Sequence, residues 1–138
     1  MTASSPWRGV WAVSGEREAC QRVLDEILGA MNDARMDDAV VFAVRLATEE
    51  ALANAVRHGH GGDPSLSLRV EAEVSPQSVM VSVQDAGPGF DPASVPDPTA
   101  DENLTIASGR GLALIRAFMT EVEVPPPGNR IVMRWRGS

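Results

Sequence analysis

Thr48-Glu49-Glu50-Ala51-Leu52-Ala53-Asn54-Ala55-Val56-Arg57-His58 places Glu50, Asn54 and His58 at four-residue intervals. At about 100° per residue, such steps keep side chains on one face of an α-helix. A carboxylate, a carboxamide and an imidazole therefore line one stripe. Val40, Val41, Val44, Ala47, Ala51 and Ala55 share a neighbouring sector, the one expected to face a core. Arg45, Glu49, Ala53 and Arg57 are assigned to the far side, toward water. Glu50 then lies along the edge of the apolar sector, where a pocket wall would run, and Glu49 points to solvent. An acid beside an amide can order a hydroxyl or a water and help hold a hydrated Mg²⁺, which takes oxygen ligands. Taken alone, the stripe is also what a plain amphipathic helix displays.

The helix that carries this stripe is expected to start at Asp37 or Asp38 and to run to about His58, where His58-Gly59-His60-Gly61-Gly62-Asp63 breaks it. Upstream, Val10 to Val13 reads as a short strand. Gly15 to Met31 carries helix-spaced Val23, Leu24, Ile27 and Leu28, with an end expected near Gly29 and Asn32. Downstream, Leu66, Leu68, Val70, Ala72 and Val74 alternate with polar residues, Pro76-Gln77 turns the chain, and Val79 to Asp85 alternates again. That is a hairpin with one buried face. Phe90 to Ser108 lacks periodicity and is rich in Pro, Asp, Ala and Ser, and a loop of that length in a compact domain is usually functional. Gly111 to Met119 resumes helical spacing. Glu121 to Val124 and Arg130 to Arg136 read as strands around a Pro-Pro-Pro-Gly-Asn turn. The order asks for one layer of helices on one face of a sheet. The expected class is α/β (α+β), a two-layer sandwich with a mixed sheet, formed by a single domain over residues 1–138. A doubly wound fold would alternate strands and helices more regularly.

Composition narrows the chemistry. The chain has 138 residues and a formal net charge of −7, which disfavours nonspecific binding to phosphate backbones or anionic lipid. All 12 of its cationic residues are Arg, so a P-loop, the strand lysine of eukaryotic-type protein kinases and a pyridoxal Schiff base are excluded. Cys20 is the only cysteine. No intrachain disulfide and no cysteine-based zinc cluster can form, and Cys20, inside a helix, reads as a packing residue. The first residues lack the apolar run of a signal peptide and no segment reaches the length of a membrane span, so a reducing cytoplasm is expected.

Two further segments bear on chemistry. Asp85 closes the strand Val79 to Asp85 on the inward face, where a carboxylate needs a partner. It can accept a hydrogen bond from an exocyclic amine. Gly87 and Gly89 follow, letting backbone approach a flat ligand, with Pro88 stiffening the turn. A simple Asp-Gly turn has the same composition. Ser108-Gly109-Arg110-Gly111 opens the last long helix; free N–H groups and a positive dipole end suit phosphate there, with Arg110 as a planar cation. A Ser-capped helix start reads the same way. His58 is assigned a structural role at the helix end and His60 a loop position.

Taken in order, helix E-x-x-x-N, strand-end D-x-G-x-G, long loop and G-x-G entering a helix resemble the GHKL ATPase superfamily, whose ATP site is the Bergerat fold. Glu50, Asn54 and His58 resemble its N box, Asp85, Gly87 and Gly89 its G1 box, and Gly109 and Gly111 its G2 box. The resemblance runs from about Gly15 to Arg136. The wording from Thr48 to Gly59, the Gly109 to Val124 run and the closing Gly128 to Arg136 are similar to the anti-sigma-factor serine kinases of bacteria.

The resemblance implies ATP and Mg²⁺ as cofactors. It implies Glu50 as the general base toward a substrate serine, Asn54 as Mg²⁺ ligand, and Asp85 as reader of the adenine amine. It implies that Gly87 and Gly89 line the nucleotide pocket, that Gly109, Arg110 and Gly111 embrace the phosphates, and that Phe90 to Ser108 is a lid. Where related sequences carry an arginine ahead of the G2 glycines, this chain has Thr105, Ile106 and Ala107, and its lid is acidic, with Asp91, Asp97, Asp101 and Glu102. The implied partners are a sigma factor and a STAS-domain antagonist phosphorylated on serine. Arg22 is a candidate partner contact and equally reads as a solvated helix arginine; a homodimer is expected, and Trp7 and Trp11 read as core or strand packing, with apolar contact at its interface as the alternative. The implied function is an ATP-dependent serine/threonine protein kinase acting as an anti-sigma factor. The alternative is a catalytically weak, ATP-binding partner-switching module. In a third reading the three motifs are accidental and the domain binds no nucleotide.

Overall fold

Alternating side chains build the sheet. The computed structural model describes residues 6–59, 65–87, 107–126 and 128–137, and the side chains of 58, 59 and 107–110 lie outside that description. Strand β1 (Trp7–Ser14) pairs with β2 (Ser67–Ser75), β2 with β3 (Ser78–Gln84), β3 with β5 (Arg130–Arg136), and β5 with β4 (Glu121–Glu123), giving the order β1-β2-β3-β5-β4. Pro76 and Gln77 make the two-residue turn of the β2–β3 hairpin, as its alternation requires. Register aligns the inner-face residues in rows: Trp11, Val70, Val83 and Ile131 form one, and Gly9, Ala72, Val81, Met133 and Val122 the next. Gly9 is required in its row, because a Cβ there would run into the Trp11 indole, 2.5 Å from Cζ2. Trp7 and Trp11 stack at 5.9 Å between centroids, and Trp11 Nε1 donates to Glu26 Oε2 at 2.7 Å, so both indoles serve strand and helix packing.

The sheet is antiparallel in all four described pairings, whereas the sequence suggests a mixed one. Strands β3 and β4 run in the same direction but are not neighbours. Strand β5 lies between them, antiparallel to both.

Helices α1 (Arg17–Asp33), α2 (Asp38–Asn54) and α3 (Ala107–Phe118) cover the inner face. Val23, Ile27 and Met31 of α1, Val44, Ala47 and Ala51 of α2 and Ile115 of α3 are buried in one cluster with the inward strand residues. This is the two-layer sandwich the amphipathic strands call for. Helix α1 passes through Gly29 to Asp33, and the reversal comes at Arg35, which takes a left-handed φ of 57° beyond the helix end. Asp37 is the N-cap of α2 by position, without a side-chain cap hydrogen bond. Helix α2 touches both α1 and α3 and ends in a π-helical turn over Ala55–Gly59.

One boundary differs from the periodic reading. Leu66 shares the parity of Leu68 but is 40% exposed, because the ladder ends where Ser67 faces Ser14. Helix α3 starts at Ala107, so Ser108 to Gly111 open it as expected; glycine costs a helix about 1 kcal/mol per residue but does not forbid it. Among the described residues no helix is long and apolar enough to cross a membrane.

Candidate functional site

Helix α2 positions the acid and the amide. Glu50 is 26% exposed by side chain and Asn54 only 6% exposed. Both lie where α3 packs on α2, with Gly111 directly against them. A Cβ built on Gly111 would meet the Asn54 amide nitrogen, Glu50 Oε1 at 2.6 Å and Asn54 Oδ1 at 2.9 Å. Nothing larger than a hydrogen fits there. The bare helix backbone of the third sequence block is thus brought against the acid and amide of the first.

Arg57 is exposed and shares a groove with Arg45, Glu49 and Ala53, as the helix count expects. Its long side chain nevertheless reaches round to the stripe, where Nη2 lies 3.1 Å from Glu50 Oε1 and donates to Asn54 Oδ1, also at 3.1 Å. Arg57 stands in the π-helical turn past the end of α2, and the length of its side chain carries the guanidinium back to Glu50 and Asn54. Glu49 behaves as expected and pairs with Arg45 at 2.9 Å on the outer surface.

The second sequence block forms its own group at the end of β3, which packs beneath α2. The Gly87 N–H donates to Asp85 Oδ1 at 2.7 Å, closing a tight turn behind the carboxylate. Asn129, a residue that sequence reasoning missed, ties this turn to the β4–β5 connection. Its carbonyl accepts from the Asp85 N–H at 2.9 Å, and its Nδ2 donates to the carbonyls of Asp85 and Gly87, both at 3.3 Å. Gly128, with φ 96°, turns the chain so that Asn129 faces Asp85. A Gly-Asn pair ahead of an amphipathic strand was the available signal, but only the adjacency of β3 and β5 shows what it touches. Asn129→Ala is expected to lower unfolding free energy by about 1–2 kcal/mol, read from the urea midpoint. An unchanged midpoint would mean the tether carries no weight.

Several expected site elements lie outside the described residues: Gly89, His60 and the Phe90 to Ile106 part of the lid, with Asp91, Asp97, Asp101 and Glu102. The same holds for the side chains of His58, Ser108 and Arg110, although their backbone lies in described helices. Among the described residues no group of three or more His, Cys, Asp or Glu is placed to hold a metal. A positive nitrogen, that of Arg57, sits between the Glu50 carboxylate and the Asn54 amide oxygen, so this pair suits a cation. Cys20 is not a nucleophile of this site. It is half-buried in a groove of about 570 Å³ between α1 and α2, its Sγ faces the Ser14 carbonyl at 3.8 Å, and burial pushes its thiol up from the usual range.

Comparison with known proteins gives a consistent result. The family described as the histidine kinase-like ATPase domain matches residues 13–135. The anti-sigma F factor of Clostridium beijerinckii is 30% identical over 125 residues, covering 86% of this chain and 85% of that protein. That of Oceanobacillus iheyensis is 28% identical over 129 residues, covering 89% and 86%. The crystal structure of the RsbU and RsbW domains of a Mycobacterium tuberculosis protein superposes with a TM-score of 0.63 at 18% identity, over 95% of this chain and 32% of that one. This last likeness speaks to the fold.

Proposed function

The chain belongs to the histidine kinase-like ATPase domain family, and from that premise we propose that it is a cytoplasmic anti-sigma regulatory protein and ATP-dependent serine kinase. In this reading it holds a sigma factor and phosphorylates a STAS-domain antagonist on serine, as a homodimer of single-domain chains. The names of its relatives support the anti-sigma role. The observation that carries the nucleotide reading is the meeting of Gly111 with Glu50 and Asn54.

Each residue has a part. Asn54 presents its amide oxygen to Mg²⁺. Glu50, at the edge of the site and not deep in the core, accepts the proton of the substrate serine as it attacks. Gly109 and Gly111 let helix backbone come close to the phosphates, with Arg110 beside them, and the N-terminal end of α3 favours negative charge. Asp85 accepts from the adenine amine, its turn held by Gly87 and Asn129, and Gly89, two positions beyond Gly87 in the sequence, is assigned to line the nucleotide pocket. Bound Mg²⁺ supplies neutralisation of phosphate charge. Phosphoryl transfer depends mainly on such positioning and charge compensation, so one base, one amide and a glycine-opened helix are a sufficient set. Glu50 favours an enzyme over a pure binding module, since a binder has no use for a base beside its phosphate site.

The experiment is a pair of titrations. Wild-type chain is expected to bind ATP with Mg²⁺ and to label a STAS-domain partner on serine from γ-labelled ATP. Asp85→Asn is expected to weaken ATP by about tenfold or more while GTP, which lacks the 6-amino group, changes little. Equal loss for both nucleotides would remove Asp85 as the adenine reader, and no nucleotide binding by the wild type would remove the kinase reading.

A further inference from the structure

Arg57 has no part in the roles above, yet it makes the closest described polar contacts to both Glu50 and Asn54. One guanidinium nitrogen lies 3.1 Å from a carboxylate oxygen and 3.1 Å from an amide oxygen. Two oxygens converging on one positive centre is a donor arrangement that suits a hard divalent cation. We infer that Arg57 is a built-in counter-cation: it holds the Glu50–Asn54 oxygen pair together in the nucleotide-free chain and is displaced when a metal–nucleotide enters. This rests on the Mg²⁺-nucleotide reading of the site.

First, Arg57 already donates to Asn54 Oδ1, the oxygen assigned to the metal, and two positive centres repel, so they do not share it. Second, the partners differ in freedom. Asn54 is nearly fully buried and has Gly111 against it, so it cannot retreat, whereas the Arg57 side chain is 48% exposed. Release therefore comes by motion of the arginine. An exposed pair of this kind is held weakly enough to exchange. Third, Arg57 has somewhere to go. It also lines the groove of about 570 Å³ between α1 and α2, on the other flank of α2, beside Glu49. The planar guanidinium matters, because one of its amino groups can donate two hydrogen bonds in fixed directions and so span the acid and the amide. The consequence is that metal affinity at this site is set partly by the cost of removing Arg57.

The test measures Mn²⁺ binding from the free-ion electron paramagnetic resonance signal, with saturating ADP, in wild type, Arg57→Met and Arg57→Lys. ADP binding and melting are followed in parallel. Arg57→Met is expected to bind Mn²⁺ about two- to fivefold more tightly than wild type, the range set by loss of one half-exposed ion pair, with Arg57→Lys in between. Mn²⁺ binding that is unchanged or weaker in folded Arg57→Met overturns the inference and leaves the nucleotide reading standing. A wild-type chain that binds no ADP overturns both. Should Arg57→Met not fold, the arginine Nε resonance of wild type, assigned by its loss in Arg57→Lys, decides the matter. It is expected to shift when Mg²⁺ and ADP are added together, and a resonance that stays in place overturns the displacement.

Discussion

Glu50→Gln is expected to bind ATP within about threefold of wild type and to lose phosphoryl transfer to the serine substrate by about 10²–10⁴-fold. The amide has the size and shape of the carboxylate, so the packing of Gly111 against position 50 survives. What disappears is the basic oxygen that would take the serine proton. The ion pair with Arg57 is lost as well, but that pair is about half exposed on the arginine side and one-quarter on the acid side, and exposed pairs contribute about 1 kcal/mol or less. A small change in stability with a large change in single-turnover transfer is therefore the signature of a base. A variant with full transfer activity removes Glu50 from that role and favours the reading of the chain as a binding module.

Gly111→Ala is expected to weaken nucleotide binding by about tenfold or more while leaving the melting temperature within a few degrees of wild type. The added methyl carbon enters space held by the Asn54 amide and by Glu50 Oε1, at contact distances that real carbon atoms do not keep. Asn54 is too buried to swing away, so the methyl pushes Glu50 aside and the α3 backbone off α2, opening the proposed site. Stability changes little because alanine favours a helix over glycine by about 1 kcal/mol, offsetting part of the steric cost. Gly29→Ala in α1 supplies the control, since a Cβ there meets nothing within 4 Å. It gains the helix preference and leaves nucleotide affinity alone. Wild-type nucleotide affinity in Gly111→Ala would show that the α2–α3 contact is not the site.

Much of this is legible in the sequence where one face of an element is buried. Leu68, Val70, Ala72 and Val74 alternate because each strand residue reverses face, and the same holds for Val79, Val81 and Val83 and for Ile131, Met133 and Trp135. Strand β1 reads too short from sequence, because Gly9 interrupts its inward apolar series and only the neighbouring Trp11 ring explains why glycine is there. Counting in fours puts Arg57 on the exposed side, where it stands, but says nothing of the reach of its side chain to Glu50 and Asn54. The partition of α2 into a core sector and a polar edge nevertheless survives, with Val44, Ala47, Ala51 and Ala55 buried and Glu50 at the margin.

By itself the sequence determined the elements, their inward faces, and three blocks of residues with the right chemistry in the right order. These follow from backbone geometry, which sets periods of 2 and about 3.6 regardless of what lies elsewhere in the chain. Which blocks meet was decided only by tertiary structure. Gly111 reaches Glu50 and Asn54 because α3 packs on α2, and Asn129 reaches Asp85 because β5 inserts between β3 and β4. These meetings join residues more than forty positions apart, and no local period extends that far. They are fixed by how the layers bury their apolar faces together.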